Sequence, residues 1–292
     1  MGWWKDKVDL LLGEWNIGFA RQKVGDVLNG KPLHTEWLRH GYSDRWFADP
    51  FMLAEDASSW YVLVEEMTDS IGRGVITLLT VDKQTVELVS RKVVLQEDCH
   101  LSFPYIYNKG VGKYVMPEKG WSGSLDLYAY NADSHCCWKV ETQAGLSVSD
   151  AILVDTDTML ATQTTAPNGN RLTVFCRFND GWAPQYDITF ADNIARNAGA
   201  LFTVGNDRYR PAQVCNNSYG EGISIQRLTS NGAHITLEEV RRIMPSDEVY
   251  IHGLHTFNVW SDNLIVVDGL KYNSRWMPGR LWKKLGSTLR NK

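Results

Sequence analysis

The sequence lacks the features that mark membrane spans, export signals and common nucleotide-binding loops. No run approaches the ~18 consecutive apolar residues of a membrane-spanning helix, and residues 1–7 lack the apolar segment of a signal peptide. No GxGxxG, GxxxxGK(S/T) or GxSxG motif occurs, which excludes the nucleotide-binding folds and serine hydrolases that use those loops. The net charge of −4 gives no general attraction to nucleic acid, so we expect no nucleic-acid partner.

Cysteine and histidine are also sparse. The five cysteines are odd in number and form no CxxC pair, and the seven histidines lack the spacing of a zinc site. We therefore predict reduced, buried thiols and a cytoplasmic protein, and we assign no metal ligands. The cysteines are Cys99, Cys136, Cys137, Cys176 and Cys215.

Aromatic residues, by contrast, are plentiful, with 12 Trp and 12 Tyr in a chain that is 43% hydrophobic. This composition is sufficient for a large core and favours β-structure. We expect most of the tryptophans to pack between sheets, although a flat indole ring also suits stacking on the C–H face of a sugar.

One hairpin motif recurs along the chain. Residues 46–53 and 60–66 form two apolar strand patterns joined by the polar turn 55–59, and the same pattern returns four more times. The second strands of successive hairpins are 53, 45, 50 and 55 residues apart. The first strands begin near Asp49, Phe103, Asp150, Ala198 and His255, and the second strands begin at Tyr61, Tyr114, Met159, Tyr209 and Leu264.

Five repeats of about four strands each, with a period near 50 residues, predict an all-β fold, a five-bladed β-propeller, rather than a sandwich or an irregular β-domain. We predict a single domain over residues 1–292. Because an unpaired outer edge is a liability, ring closure should recruit residues 14–21 or 34–39 into the last blade. Residues 1–12 and the basic, amphipathic tail at residues 276–292 are predicted to form short helices.

The repeat is expected to bring polar side chains to one rim of the central channel. The residue that opens each first strand should face the residue that closes the second strand, with Cβ atoms ~4.5–5.5 Å apart. The second-strand residues are polar in all five repeats, which packing alone does not require, although capping of strand ends is a structural alternative. The predicted pairs are Asp49 with Glu65, Phe103 with Glu118, Asp150 with Gln163, Ala198 with Gln213, and His255 with Asp268.

Several carboxylates that converge on one funnel suit glycosyl transfer, which needs a base or nucleophile and an acid for the leaving oxygen. Repulsion and partial burial can keep one such acid protonated near neutral pH. We assign Asp49 as the base or nucleophile and Glu118 as the acid, with Glu65 as the alternative acid. Other residues near the rim are predicted to bind substrate hydroxyls or an anionic group, or to shift the pKa values of the catalytic carboxyl groups: Asp150, His100, Gln163, Arg196, Arg210, Gln213, His255 and Asp268. Structural histidines and ordinary salt bridges are the alternatives.

These residues occur in motifs that resemble one domain family. The motifs lie at residues 46–51, 100–105, 114–118, 125–128, 209–213 and 253–256. They resemble the N-terminal propeller-like domain of plant glucosamine inositolphosphorylceramide transferases and its bacterial relatives, over roughly residues 35–270. That family is similar in turn to the five-bladed clan of arabinanases, xylosidases and invertases.

The resemblance implies sugar chemistry more firmly than it implies hydrolysis. Asp49, in its Ala-Asp-Pro run, matches the base or nucleophile of the glycosidase clan. The clan has an aspartate where this chain has Phe103 and a glutamate where it has Asp150, so its catalytic triad is not carried over whole. The bacterial relatives belong to surface-polysaccharide assembly, which favours a transferase.

Our leading hypothesis is therefore an enzyme that transfers a glycosyl group in surface polysaccharide or glycolipid biosynthesis. A glycoside hydrolase with the same carboxylates and a non-catalytic glycan-binding or scaffold propeller are the alternatives. We expect a carbohydrate or glycolipid substrate and no bound cofactor, with a sugar nucleotide as a candidate donor; a metal ion in the channel stays open. The basic tail could bring the cytoplasmic protein to a membrane or to another biosynthetic enzyme.

Overall fold

The computed structural model describes residues 13–68, 70–178, 181–232 and 234–272. Within these residues twenty strands form five four-stranded antiparallel sheets, and one short helix lies between the first two strands. The elements are β1 (Gly13–Ala20), α1 (Val24–Leu28), β2 (Glu36–Trp37), β3 (Arg45–Glu55), β4 (Ser59–Thr68), β5 (Gly74–Asp82), β6 (Leu88–Leu95), β7 (Ser102–Lys109), β8 (Gly112–Glu118), β9 (Ser124–Asn131), β10 (Cys136–Ala144), β11 (Val148–Leu153), β12 (Thr158–Gln163), β13 (Arg171–Phe178), β14 (Gly181–Thr189), β15 (Phe202–Val204), β16 (Asp207–Val214), β17 (Gly222–Ser230), β18 (Ile235–Ile243), β19 (Phe257–Ser261) and β20 (Leu264–Tyr272).

The sheets are the five blades of the predicted propeller. Strands β3–β6, β7–β10, β11–β14 and β15–β18 form the first four blades in chain order. The fifth blade combines both ends of the described chain in the order β19-β20-β1-β2. Strand β1 pairs with β20 along its whole length, from Gly13 opposite Tyr272 to Ala20 opposite Ile265. Both segments predicted for ring closure are therefore used, which confirms that prediction.

Aromatic residues hold neighbouring blades together. The ring of Phe51 on β3 meets Phe103 on β7 edge-on, with centroids 4.9 Å apart. On the other side of the first blade, Trp60 on β4 stacks on Phe19 of β1 at 4.4 Å. Trp60 is buried, as expected for a tryptophan that packs between sheets.

The inner strands of the first three blades share one irregularity. Register shifts interrupt the β3–β4, β7–β8 and β11–β12 pairs around residues 49–50, 103–104 and 150–151. Asp49, Phe103 and Asp150 have φ values of 50°, 45° and 48°, in the left-handed region that residues with a side chain seldom adopt. A β-bulge breaks the regular alternation of side chains, so it changes the direction in which the side chains of these three residues point.

The bulges also correct the predicted cross-strand pairs. Glu65 lies opposite Ala48 instead of Asp49, and Gln163 lies opposite Val148 instead of Asp150. Glu118 lies opposite Ser102 rather than Phe103. In the fourth blade the bridge joins Asn197 to Ala212, so the pairing of Ala198 with Gln213 is also wrong. The extra residue in each bulge moves the register, and alternation along the sequence does not reveal it.

Two further predictions concern the thiols and the chain ends. All five cysteines are free, as predicted, but Cys136 is exposed on the outer strand β10 and only Cys215 is fully buried. The prediction of burial was therefore wrong for Cys136. The predicted helices at residues 1–12 and 276–292 lie outside the described residues. No helix in the described part of the chain has the length and apolar character needed to cross a membrane.

Candidate active site

Residues from all five blades converge on the central channel near the bulges. The phenol of Tyr219, in the β16–β17 loop, interacts electrostatically with Arg196, Asp49, Asp150 and Glu118 at the same time. Burial is the largest cause that raises its pKa well above the ordinary value, and the three carboxyl groups add to the effect. The predicted rim carboxylates therefore form one site rather than scattered surface charges.

Asp49 lies at the base of this site. Its Oδ2 accepts a hydrogen bond from the backbone N–H of Phe103 at 2.9 Å, and its Oδ1 accepts one from the hydroxyl of Thr256 at 2.9 Å. Nε2 of His255 lies 3.3 Å from the same Oδ1. Burial raises the pKa of Asp49 to about 7, although the positive charge of His255 opposes that shift. An ionised carboxylate has about four acceptor positions, so one remains for a substrate hydroxyl.

His255 and Asp268 fix the position of Asp49. One oxygen of Asp268 accepts hydrogen bonds from the backbone N–H groups of His255 and Thr256, at 3.0 and 2.9 Å. The other oxygen accepts one from the backbone N–H of Asp49 at 3.1 Å. Nδ1 of His255 is 2.8 Å from Oδ2 of Asp268, in charge contact but outside hydrogen-bond geometry. Burial lowers the pKa of His255, but Asp268 and Asp49 together raise it to about 9, so the ring is an imidazolium at neutral pH. The predicted contact between His255 and Asp268 is confirmed.

A second cluster joins Glu118, Asp150, Arg196 and Gln213. Arg196 donates from Nε to Oδ2 of Asp150 at 2.5 Å and from Nη2 to Oε2 of Glu118 at 3.0 Å. Gln213 donates to Asp150 at 2.9 Å, and Ser149 donates its hydroxyl to Glu118 at 3.2 Å. Burial raises the pKa of Asp150 to about 8; Glu118 adds to the shift and Arg196 opposes it. Asp150 therefore keeps its proton at neutral pH, next to the carboxyl group of Glu118.

Glu65 and His100 form a third pair on the side of the first two blades. Nε2 of His100 lies 3.2 Å from Oε1 of Glu65, and Nδ1 accepts the N–H of Gly74 at 2.9 Å. Burial alone would lower the pKa of His100, but the negative charges of Glu65, Glu118 and Asp49 outweigh that effect and raise the pKa above its ordinary value. Protonation of Nδ1 would break the bond from Gly74, so the neutral ring carries its hydrogen on Nε2 and donates it to Glu65. His100 is partly exposed at the rim.

Gln163 is exposed at the end of β12, opposite Val148. Arg210, by contrast, does not face the site. Arg210 is completely buried and donates to Oδ1 of Asn197, Oε1 of Gln226 and the carbonyl oxygens of Ile194 and Ala195. Burial lowers its pKa to about 9. Arg210 therefore braces the loop that presents Arg196 and does not clamp a ligand, because the side chains of β16 alternate between the two faces of the blade.

Tyr219 and Thr256 belong to the site but were not predicted from the sequence. Tyr219 lies between Arg196, 5.1 Å from its ring, and His255, whose ring centroid is 5.3 Å away. It occupies a loop without strand periodicity, so no pattern marks it. Thr256 could have been predicted as a site residue because it directly follows His255, and two neighbouring residues at the start of a strand can both reach the rim.

Among the described residues, one group of three buried side chains has the spacing of a metal site. Ligand atoms of Asp49, His255 and Asp268 lie within 4.8 Å of one another. The imidazolium of His255 already bridges the two carboxylates. A metal ion would therefore compete with the imidazolium for the same oxygen atoms.

The site predicts that stability falls as the pH rises from 5 to 9.5. Folded His255 holds its proton to about pH 9, whereas the unfolded chain releases it near 6.5, and Asp49 and Asp150 hold protons to about 7 and 8 against 3.8. The folded state thus binds more protons throughout this window, and its stability declines with pH. Thermal unfolding followed by circular dichroism at pH 5, 7 and 9.5 would measure this. His34→Gln, at an exposed position, should leave the profile unchanged, and a melting temperature that stays constant or rises towards pH 9.5 would contradict the prediction.

Comparisons with known proteins confirm the family resemblance. Residues 33–163, less than half of the chain, match the model of a family described as glucosamine inositolphosphorylceramide transferase 1, N-terminal. Glucosamine inositolphosphorylceramide transferase 1 of Oryza sativa subsp. indica is 25% identical over 216 residues, which cover 70% of this chain and 28% of that protein. The protein of the same name from Arabidopsis thaliana is 26% identical over 213 residues, covering 66% and 27%. The chain thus spans little more than a quarter of these relatives.

Solved structures support the fold. An exo-β-1,3-galactanase from Phanerochaete chrysosporium, solved with galactose, superimposes with a TM-score of 0.53. It is 11% identical in sequence, and the match covers 75% of this chain and 59% of that one. At this identity the likeness concerns the fold alone.

Proposed function

We propose that the protein transfers a glycosyl group from an activated donor to a carbohydrate or glycolipid acceptor, in surface polysaccharide or glycolipid biosynthesis. The observation that supports this most is the contrast between two buried carboxyl sites in one channel. Asp49 faces an imidazolium and a hydrogen-bond donor, whereas Asp150 holds a proton at neutral pH beside Glu118. Such a division between a base and an acid is what glycosyl chemistry requires.

In the proposed reaction Asp49 acts on the acceptor. Its free acceptor position receives the hydroxyl proton as the acceptor oxygen forms a bond to the anomeric carbon of the donor. The bond from that carbon to the leaving oxygen breaks, and its electron pair stays on the leaving group. A pKa of about 7 suits a base at neutral pH, because proton transfer is most effective when the pKa of the base is near the working pH. Direct displacement inverts the anomeric configuration, whereas a covalent intermediate on Asp49 would retain it.

The pair formed by Glu118 and Asp150 serves the leaving group. Glu118 is the more accessible of the two, with its side chain 10% exposed against 2% for Asp150. In the proposed reaction the proton held by Asp150 reaches the leaving oxygen through Glu118, which keeps the role of acid assigned to it from the sequence. Glu65 remains the alternative acid, since its oxygen contacts a histidine at the rim.

Arg196 suits a donor that carries a phosphate. Its side chain is 12% exposed between Asp150 and Glu118, and a phosphate leaving group can bind to its guanidinium while exchanging contacts with Glu118. The relatives named as glucosamine inositolphosphorylceramide transferases favour transfer over hydrolysis. We therefore propose a sugar nucleotide as the donor.

Glycoside hydrolysis is the second candidate, and one observation favours it. The proton that Asp150 holds beside Glu118 is more useful for a sugar alcohol leaving group than for a phosphate, which departs as a stable anion. In that case water would take the place of the acceptor at Asp49.

A donor-consumption assay separates these functions. The protein is incubated with a set of nucleoside diphosphate sugars and with sugar or inositol-phospholipid acceptors, and released nucleotide and product are measured by mass spectrometry. Transfer predicts that nucleotide release depends on an acceptor. Cleavage of aryl glycosides without turnover of any donor would replace transfer by hydrolysis. The absence of both activities, with sugar binding retained, would leave a non-catalytic binding propeller.

A further inference from the structure

A separate cleft opens beside the catalytic residues, at the junction of the first and second blades. Its volume is about 630 Å³. One wall is the β6–β7 loop, which ends in His100, and the other is the β8–β9 turn, which begins directly after Glu118. A molecule in the cleft would therefore lie next to the rim but outside the cluster around Asp49.

The floor of the cleft is a buried and charge-balanced network. The ammonium of Lys119 lies 2.7 Å from Oε2 of Glu97 and also binds Asp126. Lys139 contacts the same two carboxylates, at 3.2 and 2.7 Å. Arg73 donates its Nε to the carbonyl of Glu97 at 2.8 Å. These mutual contacts hold the polar side chains in place before any ligand binds.

The lining mixes donors and acceptors in nearly equal number. Arg73 and Lys119 donate, Glu97 and Asp98 accept, and the hydroxyls of Ser122 and Ser124 do both, as does the amide of Gln96. A phosphate would favour an excess of cations and a metal ion would favour acceptors alone, so neither fits the lining well. A sugar ring fits, because each of its hydroxyls both donates and accepts.

An exposed tryptophan lies on the same turn. Trp121 is 77% exposed between Gly120 and Gly123, whose φ values of 52° and 79° allow the tight turn. An indole placed in this way can cover the apolar face of a sugar ring bound in the cleft. Cys99 also lines the cleft. Burial raises the pKa of its thiol, so the thiol stays uncharged and is not a nucleophile.

We infer that this cleft binds a neutral sugar ring of the acceptor, with Trp121 as its stacking surface. The inference rests on the proposed glycosyl transfer for the role of that sugar, but sugar binding itself does not require catalysis. It also explains why a rim built for chemistry on one sugar carries a second polar cleft close to Glu65 and Glu118.

Binding is tested with glucose, galactose, mannose, N-acetylglucosamine and myo-inositol as probes, by saturation-transfer NMR and titration. We expect at least one probe to bind the wild-type protein. Its Kd should weaken about tenfold in Trp121→Ala and in Arg73→Gln. Trp138→Ala is the matched control, since Trp138 is 51% exposed on β10 and, as a neighbour of Lys139 along the strand, points to the opposite face of the sheet.

The results separate this inference from the proposed function. If no probe binds, if inorganic phosphate binds instead, or if Trp121→Ala and Arg73→Gln bind as the wild type does, the inference is overturned. If transfer occurs and Trp121→Ala has an unchanged KM for the acceptor, the inference fails while the function stands. If the variants lose sugar binding but no donor is consumed, the inference stands while the proposed function fails.

Discussion

Replacing Asp49 with asparagine should lower the rate of glycosyl transfer by about 10²- to 10⁴-fold, the usual contribution of a positioned general base. The amide keeps the shape of the side chain. Its oxygen can still accept from the backbone N–H of Phe103, and its NH2 group can donate to the hydroxyl of Thr256, so the fold should survive. It cannot take a proton from the acceptor. Initial rates of donor consumption, measured with the donor found in the assay above, would give the ratio.

Asp133→Asn is the matched control for this substitution. Asp133 is exposed in the turn between β9 and β10, at the end of the second blade opposite to Glu118, and its change should leave the rate within twofold, which is roughly the scatter of surface substitutions. If Asp49→Asn retained more than half of the wild-type rate, Asp49 would be neither base nor nucleophile, and the chemistry would have to be assigned to Glu65 or Glu118.

Replacing Arg196 with methionine should destabilise the protein by about 3–5 kcal/mol, the range for breaking a buried ion pair from one side. Arg196 is the cation between Asp150 and Glu118, and its removal leaves two buried carboxyl groups without a positive charge. The free energy of unfolding from urea denaturation would measure the loss. Adding Asp150→Asn to the variant should recover part of it when stability is measured above pH 8, where the carboxyl group of Asp150 would otherwise be ionised.

Arg171→Met is the comparison for Arg196→Met. Arg171 contacts Asp187 on the surface, with its side chain 68% exposed, and such pairs contribute about 0–1 kcal/mol. A loss of less than 1 kcal/mol in Arg196→Met, equal to that of the control, would show that the cluster around Asp150 is solvated in solution and does not depend on Arg196.

The architecture could be predicted from the sequence because the same strand pattern repeats five times along the chain. Each blade repeats one hairpin, and strands with a period near 50 residues leave few alternatives to a ring. Closure through β1 and β2 was also predictable, since an open ring would leave an unpaired edge on β20. The sequence did not show which of the two segments would be used, and both are.

The details of the site were harder to predict because they depend on irregular backbone. Asp49, Phe103 and Asp150 adopt positive φ values without being glycine, so nothing in their identity marks the bulges. The pairs predicted by alternation were therefore displaced by one or two residues, although Asp49, Glu65 and Glu118 still reach the channel region. Proline follows both Asp49 and Phe103, and this was the only local sign of a break in the ladder.

Side-chain direction accounts for the misplacement of Arg210. Arg210 and Gln213 are three positions apart on β16 and point to opposite faces, so only Gln213 reaches Asp150. Both side chains are polar, and a polar residue on an otherwise apolar strand was interpreted as a residue of the rim. The buried amide and carbonyl partners of Arg210 come from residues 194–197 and from Gln226, a distant contact that no local pattern contains.

A crystal structure of the Asp49→Asn protein soaked with the sugar nucleotide it consumes tests the central claim most directly. The account predicts the donor sugar in the channel, with its anomeric carbon facing position 49, its leaving oxygen near Glu118 and its phosphate against Arg196. Binding of the donor on any other surface, with the channel unchanged, would contradict it.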